Sequence, residues 1–173
     1  IALVPSESLA SKIMNIKQEF ANRFNSKAAL RSPPHITLHM PFKWKEEKEV
    51  QLIDVLSQVS THYPNFELEL EDFGCFEPRV VYININNSDL LNSLQARVMK
   101  RAATDWHIYQ QANSRPFKPH MTVAFRDLRK PHFQLAWDEF NNRKFKETML
   151  VDSIALLKHN GKVWKISARI PPK

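Results

Sequence analysis

The stretch "SPPHITLHMPF", residues 32–42, sets a histidine and a threonine two positions apart, directly after two prolines. A second stretch, "RPFKPHMTVAF" at residues 115–125, repeats the order Pro-His-x-Thr and also ends in phenylalanine. Proline fixes its own φ angle and favours an extended conformation in the residue before it, so both runs are expected to lead into a strand. The repetition of one short pattern indicates that the two runs share a function.

Strand geometry puts each histidine beside its threonine. Side chains alternate between the two faces of a strand, so His35 and Thr37 point the same way while their apolar neighbours point the other way. His120 and Thr122 form the same pair in the second run. Each strand is therefore predicted to bury an apolar face in the core and to present a His/Thr face elsewhere.

The surrounding sequence changes between helical and strand periodicity, which indicates an α+β fold. Each half of residues 1–173 holds a helix, a His-x-Thr strand, a second helix and a strand pair, so we predict one domain of two pseudo-symmetric lobes. The two His-x-Thr strands would then lie close together across a shared cleft. The predicted helices cover residues 6–24, 46–62, 88–102 and 130–142, and the predicted strands cover 1–5, 35–40, 65–73, 79–85, 120–125 and a final pair around a two-residue Asn160-Gly161 turn.

Composition narrows the classes of function. The 173 residues carry a formal net charge of +7, which favours anionic partners such as RNA or nucleotides. Gly74 and Gly161 are the only glycines, which argues against the glycine-rich phosphate loops of P-loop and Rossmann enzymes. The single cysteine, Cys75, permits no internal disulfide and no cysteine-based zinc site. The apolar runs are too short to span a membrane, and we expect a cytoplasmic monomer.

Two histidines on opposite sides of a phosphate suit an in-line displacement. Imidazole titrates near neutral pH, so one ring can take a proton from the attacking oxygen while the other gives a proton to the leaving oxygen. Threonine hydroxyls can donate hydrogen bonds to the non-bridging phosphate oxygens. The candidate catalytic residues are therefore His35, His120, Thr37 and Thr122, and this chemistry requires no metal ion or other cofactor.

The two motifs resemble those of the 2H (two-histidine) phosphoesterases. "PHITLHMPF" and "KPHMTVAF" match the paired motifs without substitution, and the most similar group is the bacterial 2′-5′ RNA ligase and RNA 2′,3′-cyclic phosphodiesterase family. The resemblance covers nearly the whole chain, because it extends to "IALVP" at the start, "FGCFEPRVVYI" between the motifs and "LLKHNGKVWKI" near the end.

The resemblance implies both a fold and an activity. The fold would be bilobal, with two antiparallel sheets around a central cleft and helices outside. The activity would be hydrolysis of 2′,3′-cyclic phosphodiesters of RNA or nucleotides to 2′-phosphates, with reversible ATP-independent 2′-5′ RNA joining in some members. By family analogy, His120 would activate water, His35 would protonate the leaving oxygen, and the two threonines would hold the phosphate.

Three further residues are candidates for substrate binding. If the strands run regularly, His39 shares the face of His35, and Arg126 shares the face of His120, where a guanidinium could clamp a phosphate. A cleft-rim or surface position is the alternative for His39, and a solvated strand end is the alternative for Arg126. Tyr82 could stack on a base at the cleft wall, and a packed strand aromatic is the alternative there.

The sequence alone leaves two other functions open. A metal site could be built from His35, His39 and His120, although no acidic residue accompanies them and the strand spacing keeps the first two rings apart. A non-catalytic RNA- or nucleotide-binding module that retained the cleft would account for the basic charge without using an acid and a base.

Overall fold

The fold is organised around an antiparallel sheet in which the two His-x-Thr runs are neighbours. The computed structural model describes residues 1–109 and 116–172. Within these residues, the helices are α1 (Glu7–Phe24), α2 (Glu49–Ser60), α3 (Asp89–Trp106) and α4 (Lys130–Phe140). The strands are β1 (Ala2–Leu3), β2 (Ile36–Thr37), β3 (Phe66–Phe76), β4 (Val80–Ile85), β5 (His120–Ala124), β6 (Lys146–Val151), β7 (Ile154–His159) and β8 (Trp164–Ile170).

The sheet consists of two four-stranded halves. The strand order is β6-β3-β4-β5-β2-β1-β7-β8, and neighbouring strands are antiparallel throughout. Helices α1 and α4 pack with the half that ends in β5, whereas α2 and α3 pack with the half that begins with β2. The α+β class and the two-lobed arrangement are confirmed. The two expected sheets are joined edge to edge into one, because Ile36 of β2 pairs with Met121 of β5.

Apolar residues at helical and strand spacing form one core against these strands. In the β5 half, the rings of Phe20 on α1 and Phe140 on α4 have centroids 4.5 Å apart, and Phe73 on β3 meets Phe140 at 5.0 Å. Helix α3 begins after Ser88, as predicted, because the Ser88 hydroxyl accepts a hydrogen bond from the Leu91 N–H at 3.3 Å.

Several predicted boundaries differ from the structure. The strand expected over residues 35–40 pairs only over Ile36–Thr37. Helix α3 continues past its predicted end to Trp106, which is buried. The last hairpin has a four-residue turn rather than a two-residue one, because the Asn160 side chain accepts hydrogen bonds from the N–H groups of Lys162 and Val163. Of the predicted loop over residues 107–118, residues 110–115 lie outside the described residues.

No helix in residues 1–109 and 116–172 is long and apolar enough to cross a membrane.

Candidate active site

Strands β2 and β5 bring the two His/Thr pairs onto one face of the sheet. Ile36 and Met121 lie opposite each other and are fully buried, which puts their neighbours on the other face. Extending this antiparallel register by one residue in each direction sets His35 across from Thr122 and Thr37 across from His120. The two histidines are then diagonal neighbours, at a spacing of roughly 7 Å between Cβ atoms, which lets both rings reach one phosphate group.

The same backbone contact orients both histidine rings. His35 Nδ1 lies 2.7 Å from the carbonyl oxygen of Pro33, and His120 Nδ1 lies 2.7 Å from the carbonyl oxygen of Lys118. A carbonyl oxygen can only accept, so each Nδ1 carries the proton and donates it. Each Nε2 therefore keeps its lone pair in the neutral ring and is the atom available to a substrate.

Burial lowers the pKa of both histidines. For His35 the pKa falls to about 4, mainly through burial and further through the nearby cationic charges of Lys17 and His120. Burial also lowers the pKa of His120, with a smaller contribution from the charge of Lys118. Hydrogen bonding to the carbonyl groups opposes both shifts without cancelling them. Both rings are thus neutral near pH 7 in the free protein.

Tyr82 lies beside the site but is not positioned as predicted. It sits opposite Thr122 on the same face, and its ring centroid is 5.0 Å from that of His120. Only 1% of Tyr82 is exposed, however, so the prediction that it stacks on a base at the cleft wall is wrong. Gly74 makes this burial possible, because a Cβ there would come within 2.5 Å of the Tyr82 ring.

Phe76 takes the exposed position that the sequence reading assigned to Tyr82. Its ring packs at a tilt against that of Tyr82, with centroids 4.6 Å apart, and lies nearly perpendicular to that of His120 at 5.1 Å, and 37% of the residue is exposed. The ammonium group of Lys118 lies over Phe76 and Tyr82, 5.2 and 5.3 Å from their centroids. Sequence reasoning missed Phe76 and Lys118. Alternation along β3 from Gly74 is the signal that would have placed Phe76 on this face.

His39 lies away from the site in the protein interior. The chain leaves the strand after Thr37, so alternation does not carry His39 to the face of His35. His39 is 2% exposed, and its ring packs edge-on against Phe42 at 5.3 Å. The predicted substrate-binding role and the alternative surface position are therefore both wrong for His39. The three-histidine metal site is not formed either, and no group of three metal-ligating side chains is found within the described residues.

Arg126 does not continue the face of His120. Strand β5 ends at Ala124, and Arg126 has a left-handed backbone with φ of 63°. Its guanidinium lies over the ring of its neighbour Phe125, 5.2 Å from the centroid, and the residue is exposed. The structure thus favours the alternative of a solvated position after the strand.

The segment that precedes β2 is fixed by two side chains that the sequence reading did not single out. Asp127 accepts hydrogen bonds at 2.9 Å from the Ser26 hydroxyl and from the backbone N–H groups of Lys27 and Ala28. Lys17 is buried and donates to the carbonyl oxygens of Ala29 and Ser32 at 3.1 and 3.0 Å, and burial lowers its pKa to about 8. These contacts hold the backbone that leads to Pro33 and His35.

The sequence and the fold are both similar to those of known proteins. A sequence model described as the 2′-5′ RNA ligase superfamily matches residues 5–163. A protein of Geobacillus sp. (strain WCH70) named "Putative phosphoesterase" is 28% identical over 161 residues, which cover 91% of this chain and 85% of the relative.

Solved structures with this fold include two bacterial proteins. E. coli LigT complexed with 3′-AMP superposes with a TM-score of 0.68 at 21% identity, over 99% of this chain and 95% of LigT. The protein TT0787 of Thermus thermophilus gives a TM-score of 0.65 at 17% identity, over 98% of this chain and 94% of that protein.

Proposed function

Because the chain belongs to the 2′-5′ RNA ligase superfamily, we propose that it is a metal-independent phosphoesterase that hydrolyses 2′,3′-cyclic phosphodiesters of RNA or nucleotides to 2′-phosphates. The observation that carries the proposal is the shared face of His35, Thr37, His120 and Thr122, with each Nδ1 bonded to the backbone and each Nε2 left for the substrate. Binding alone needs neither an acid nor a base, whereas general acid-base cleavage of a phosphodiester needs both.

In hydrolysis, a water oxygen attacks phosphorus in line with the leaving ribose oxygen. The base Nε2 takes the proton of the water, the bond from phosphorus to O3′ breaks, and the acid Nε2–H gives its proton to O3′. The resemblance assigns the base role to His120 and the acid role to His35. The hydroxyls of Thr37 and Thr122 donate to the non-bridging oxygens and stabilise their negative charge.

The same groups could join RNA ends. If the 5′-hydroxyl of a second strand takes the place of water, its oxygen forms the new bond to phosphorus and the base accepts its proton. The bond from phosphorus to O3′ breaks, the acid gives its proton to O3′, and phosphorus keeps its link to O2′. The product is a 2′-5′ phosphodiester, and the opened ring supplies the driving force, so no ATP is consumed. Hydrolysis and joining therefore differ only in the attacking oxygen.

One histidine must be protonated when the substrate is bound. In the free protein, burial keeps both histidine pKa values below their usual value. A phosphodiester anion between the rings favours the charged form and raises both pKa values. Substrate binding is thus expected to generate the acid that the reaction requires.

The substrate is expected to contain a nucleobase. Phe76 offers an exposed ring next to His120, with Lys118 close by to attract the phosphate. The solved complexes of E. coli LigT with 3′-AMP, ATP and NADP+ support a nucleotide as the ligand of this fold. Arg126 stays a weaker candidate for phosphate binding, since it is exposed beyond the end of β5.

A non-catalytic RNA- or nucleotide-binding module is the second candidate, and the net charge of +7 favours it. Such a module would bind a cyclic nucleotide or RNA without converting it. Replacing one motif histidine by glutamine would then alter affinity only modestly.

Turnover of a 2′,3′-cyclic nucleotide distinguishes the two candidates. Incubation with EDTA present, followed by phosphorus NMR, should convert the cyclic phosphodiester signal into that of a 2′-phosphomonoester. His35→Gln and His120→Gln should each lower kcat/KM by roughly 10²- to 10⁴-fold, because each removes one proton-transfer group. The control is His62→Gln, since His62 is exposed on another part of the fold and should leave the rate unchanged.

Two results would contradict the proposal in different ways. Near-native turnover in either motif variant would show that the acid-base assignment is wrong. Tight RNA binding without conversion of any cyclic substrate, whether mononucleotide or RNA end, would favour the binding module instead.

A further inference from the structure

A groove of about 390 Å³ lies between the segment that leads into β2 and the β7–β8 hairpin. Residues 30–33 line one side, and residues 163–166 line the other. Its volume is within the range of small-molecule sites in proteins. His35, Thr37, His120 and Thr122 are not among its lining residues.

The groove shares its face of the sheet with the His/Thr pairs. Side chains on one face can be traced from strand to strand through residues that lie directly opposite each other, and by alternation along a strand. From Thr37 of the first motif, this face passes across the sheet through Ala2 of β1 to Ala155 of β7. It continues along β7 through Leu157 and His159, which lie opposite Ile166 and Trp164 of β8. Trp164 and Ile166 therefore face the same side as the site, on the wall formed by the second half of the sheet.

The groove is also continuous with the site through Pro33. Pro33 lines the groove, and its carbonyl oxygen accepts the hydrogen bond that orients His35. A chain bound with its phosphate between the histidines therefore has a direct path into the groove on the His35 side. Phe76 lies on the opposite side, next to His120.

The lining combines an aromatic ring with a cation that has no acidic partner. Arg31 is an exposed lining residue, and it takes part in no ion pair within the part of the chain that the structure describes. Trp164 is a partly exposed lining residue on the other side of the groove. A positive groove with an aromatic surface is how proteins hold single-stranded nucleic acid, with phosphates on the cations and a base on the ring.

We propose that this groove binds the nucleotide adjoining the reactive phosphate in a single-stranded RNA, with its base against Trp164 and its phosphate near Arg31. The proposal rests on the proposed function, because it takes the reactive phosphate to lie between His35 and His120. It goes beyond that function in naming the substrate class, since an RNA strand fills the groove and a mononucleotide does not.

Equilibrium binding tests the groove without requiring turnover. The probe is a fluorescein-labelled hexauridylate with a 3′-terminal phosphate, measured by fluorescence anisotropy, and uridine 3′-monophosphate is measured by competition against it. Native protein should bind the hexamer more tightly than the mononucleotide. Trp164→Ala should lower the ratio of these two affinities about tenfold, because one base loses its stacking surface.

A second variant tests the groove independently, in case Trp164→Ala disturbs the fold. Arg31→Glu should also lower the ratio, and it should reduce the slope of log affinity against log salt by about 0.7, as expected for one lost phosphate contact with a single strand. The matched controls are Leu135→Ala and Lys130→Glu on α4, where Leu135 is 63% exposed and Lys130 is exposed. Both controls should keep the native ratio.

The outcomes separate this proposal from the proposed function. If cyclic nucleotides are hydrolysed but the hexamer binds no more tightly than the mononucleotide, the groove proposal fails and the function stands. If the hexamer binds with the expected loss in Trp164→Ala but no cyclic phosphate is converted, the groove stands and the function fails. Native affinity ratios in both Trp164→Ala and Arg31→Glu would overturn the groove proposal outright.

Discussion

The carbonyl oxygen two positions before each motif histidine determines which ring nitrogen is available for chemistry. Pro33 and Lys118 supply these oxygens, and each is followed by a proline that keeps the chain extended. The Nδ1–H bond fixes the tautomer and the ring orientation together, so Nε2 is the basic atom in both rings. Pro34 and Pro119 thus favour strand formation and also help to hold these carbonyl oxygens within reach of the histidine rings.

The pH dependence of kcat/KM should be a bell with both limbs below pH 6.5, the ordinary value for histidine, because burial lowers both pKa values and that of His35 reaches about 4. Below the lower pKa both rings are protonated and no base remains. Above the higher pKa both are neutral and no acid remains. Initial rates across the range from about pH 3 to pH 8 measure the limbs.

The profile of kcat provides an internal control for this prediction. It reports the substrate complex, in which the phosphodiester raises both pKa values, so its alkaline limb should lie at a higher pH than that of kcat/KM. An alkaline limb of kcat/KM well above pH 6.5 would contradict the lowered pKa values in the free protein.

Phe76→Ala should raise KM for a 2′,3′-cyclic nucleotide about tenfold and change kcat much less. The exposed ring next to His120 is expected to contact the base equally in the bound substrate and in the transition state. Leu135→Ala on α4 is the control for loss of an exposed apolar side chain. A KM equal to that of the native protein would exclude Phe76 from the base site.

At the scale of elements, the two motif strands depend on one connecting segment. Asp127, just after β5, holds residues 26–28, and Lys17 on α1 holds the carbonyl groups of Ala29 and Ser32. The end of the second motif strand is therefore linked to the start of the first. Strand β5 therefore positions His35 in two ways, through this segment and through its direct pairing with β2.

Asp127→Ala should lower the free energy of unfolding by about 1 kcal/mol, because two backbone N–H groups and a hydroxyl lose their acceptor. Urea unfolding measures this change, and kcat/KM should fall as well, since the segment leading to His35 is loosened. Asp138→Ala is the control, because the Asp138 carboxylate accepts a hydrogen bond from the Gln134 side chain of the same helix. A loss no larger than that of the control would argue against a role in holding the segment.

At the scale of the whole molecule, the two lobes share one sheet and one apolar core. Separate unfolding of either lobe would expose the β2–β5 junction and leave its backbone groups unpaired. The lobes are therefore expected to unfold together, in a single cooperative transition.

A variant with tryptophans in one lobe tests this cooperativity. Trp137→Phe removes the tryptophan on α4 and leaves Trp44, Trp106 and Trp164, which lie outside the half of the fold that packs with α1 and α4. Urea unfolding followed by fluorescence should then coincide with unfolding followed by far-ultraviolet circular dichroism, which reports both lobes. Two separated midpoints would show that the lobes unfold independently.

Most elements could be predicted because their signals are local. Helix α1 follows from an apolar stripe, β3 from alternation, and α3 from the Ser88 cap, and each lies close to its predicted position. The pairing of His with Thr on one face is also local, since it depends only on the period of a strand. The errors fall where the strand stops, because alternation was extended through His39 and Arg126, beyond the ends of β2 and β5.

The sequence by itself determined the two His/Thr pairs, the apolar faces behind them and the class of fold, because these follow from backbone periodicity and from residue chemistry. Only the tertiary structure decided which neighbours join them. Phe76 is exposed and Tyr82 buried because Gly74 leaves room for the Tyr82 ring, and Trp164 shares the face of Thr37 because intervening strands bring it there. The contact of Gly74 with Tyr82 depends on how β3 and β4 pair, and Trp164 and Thr37 are far apart in the chain, so no single run of residues encodes either arrangement.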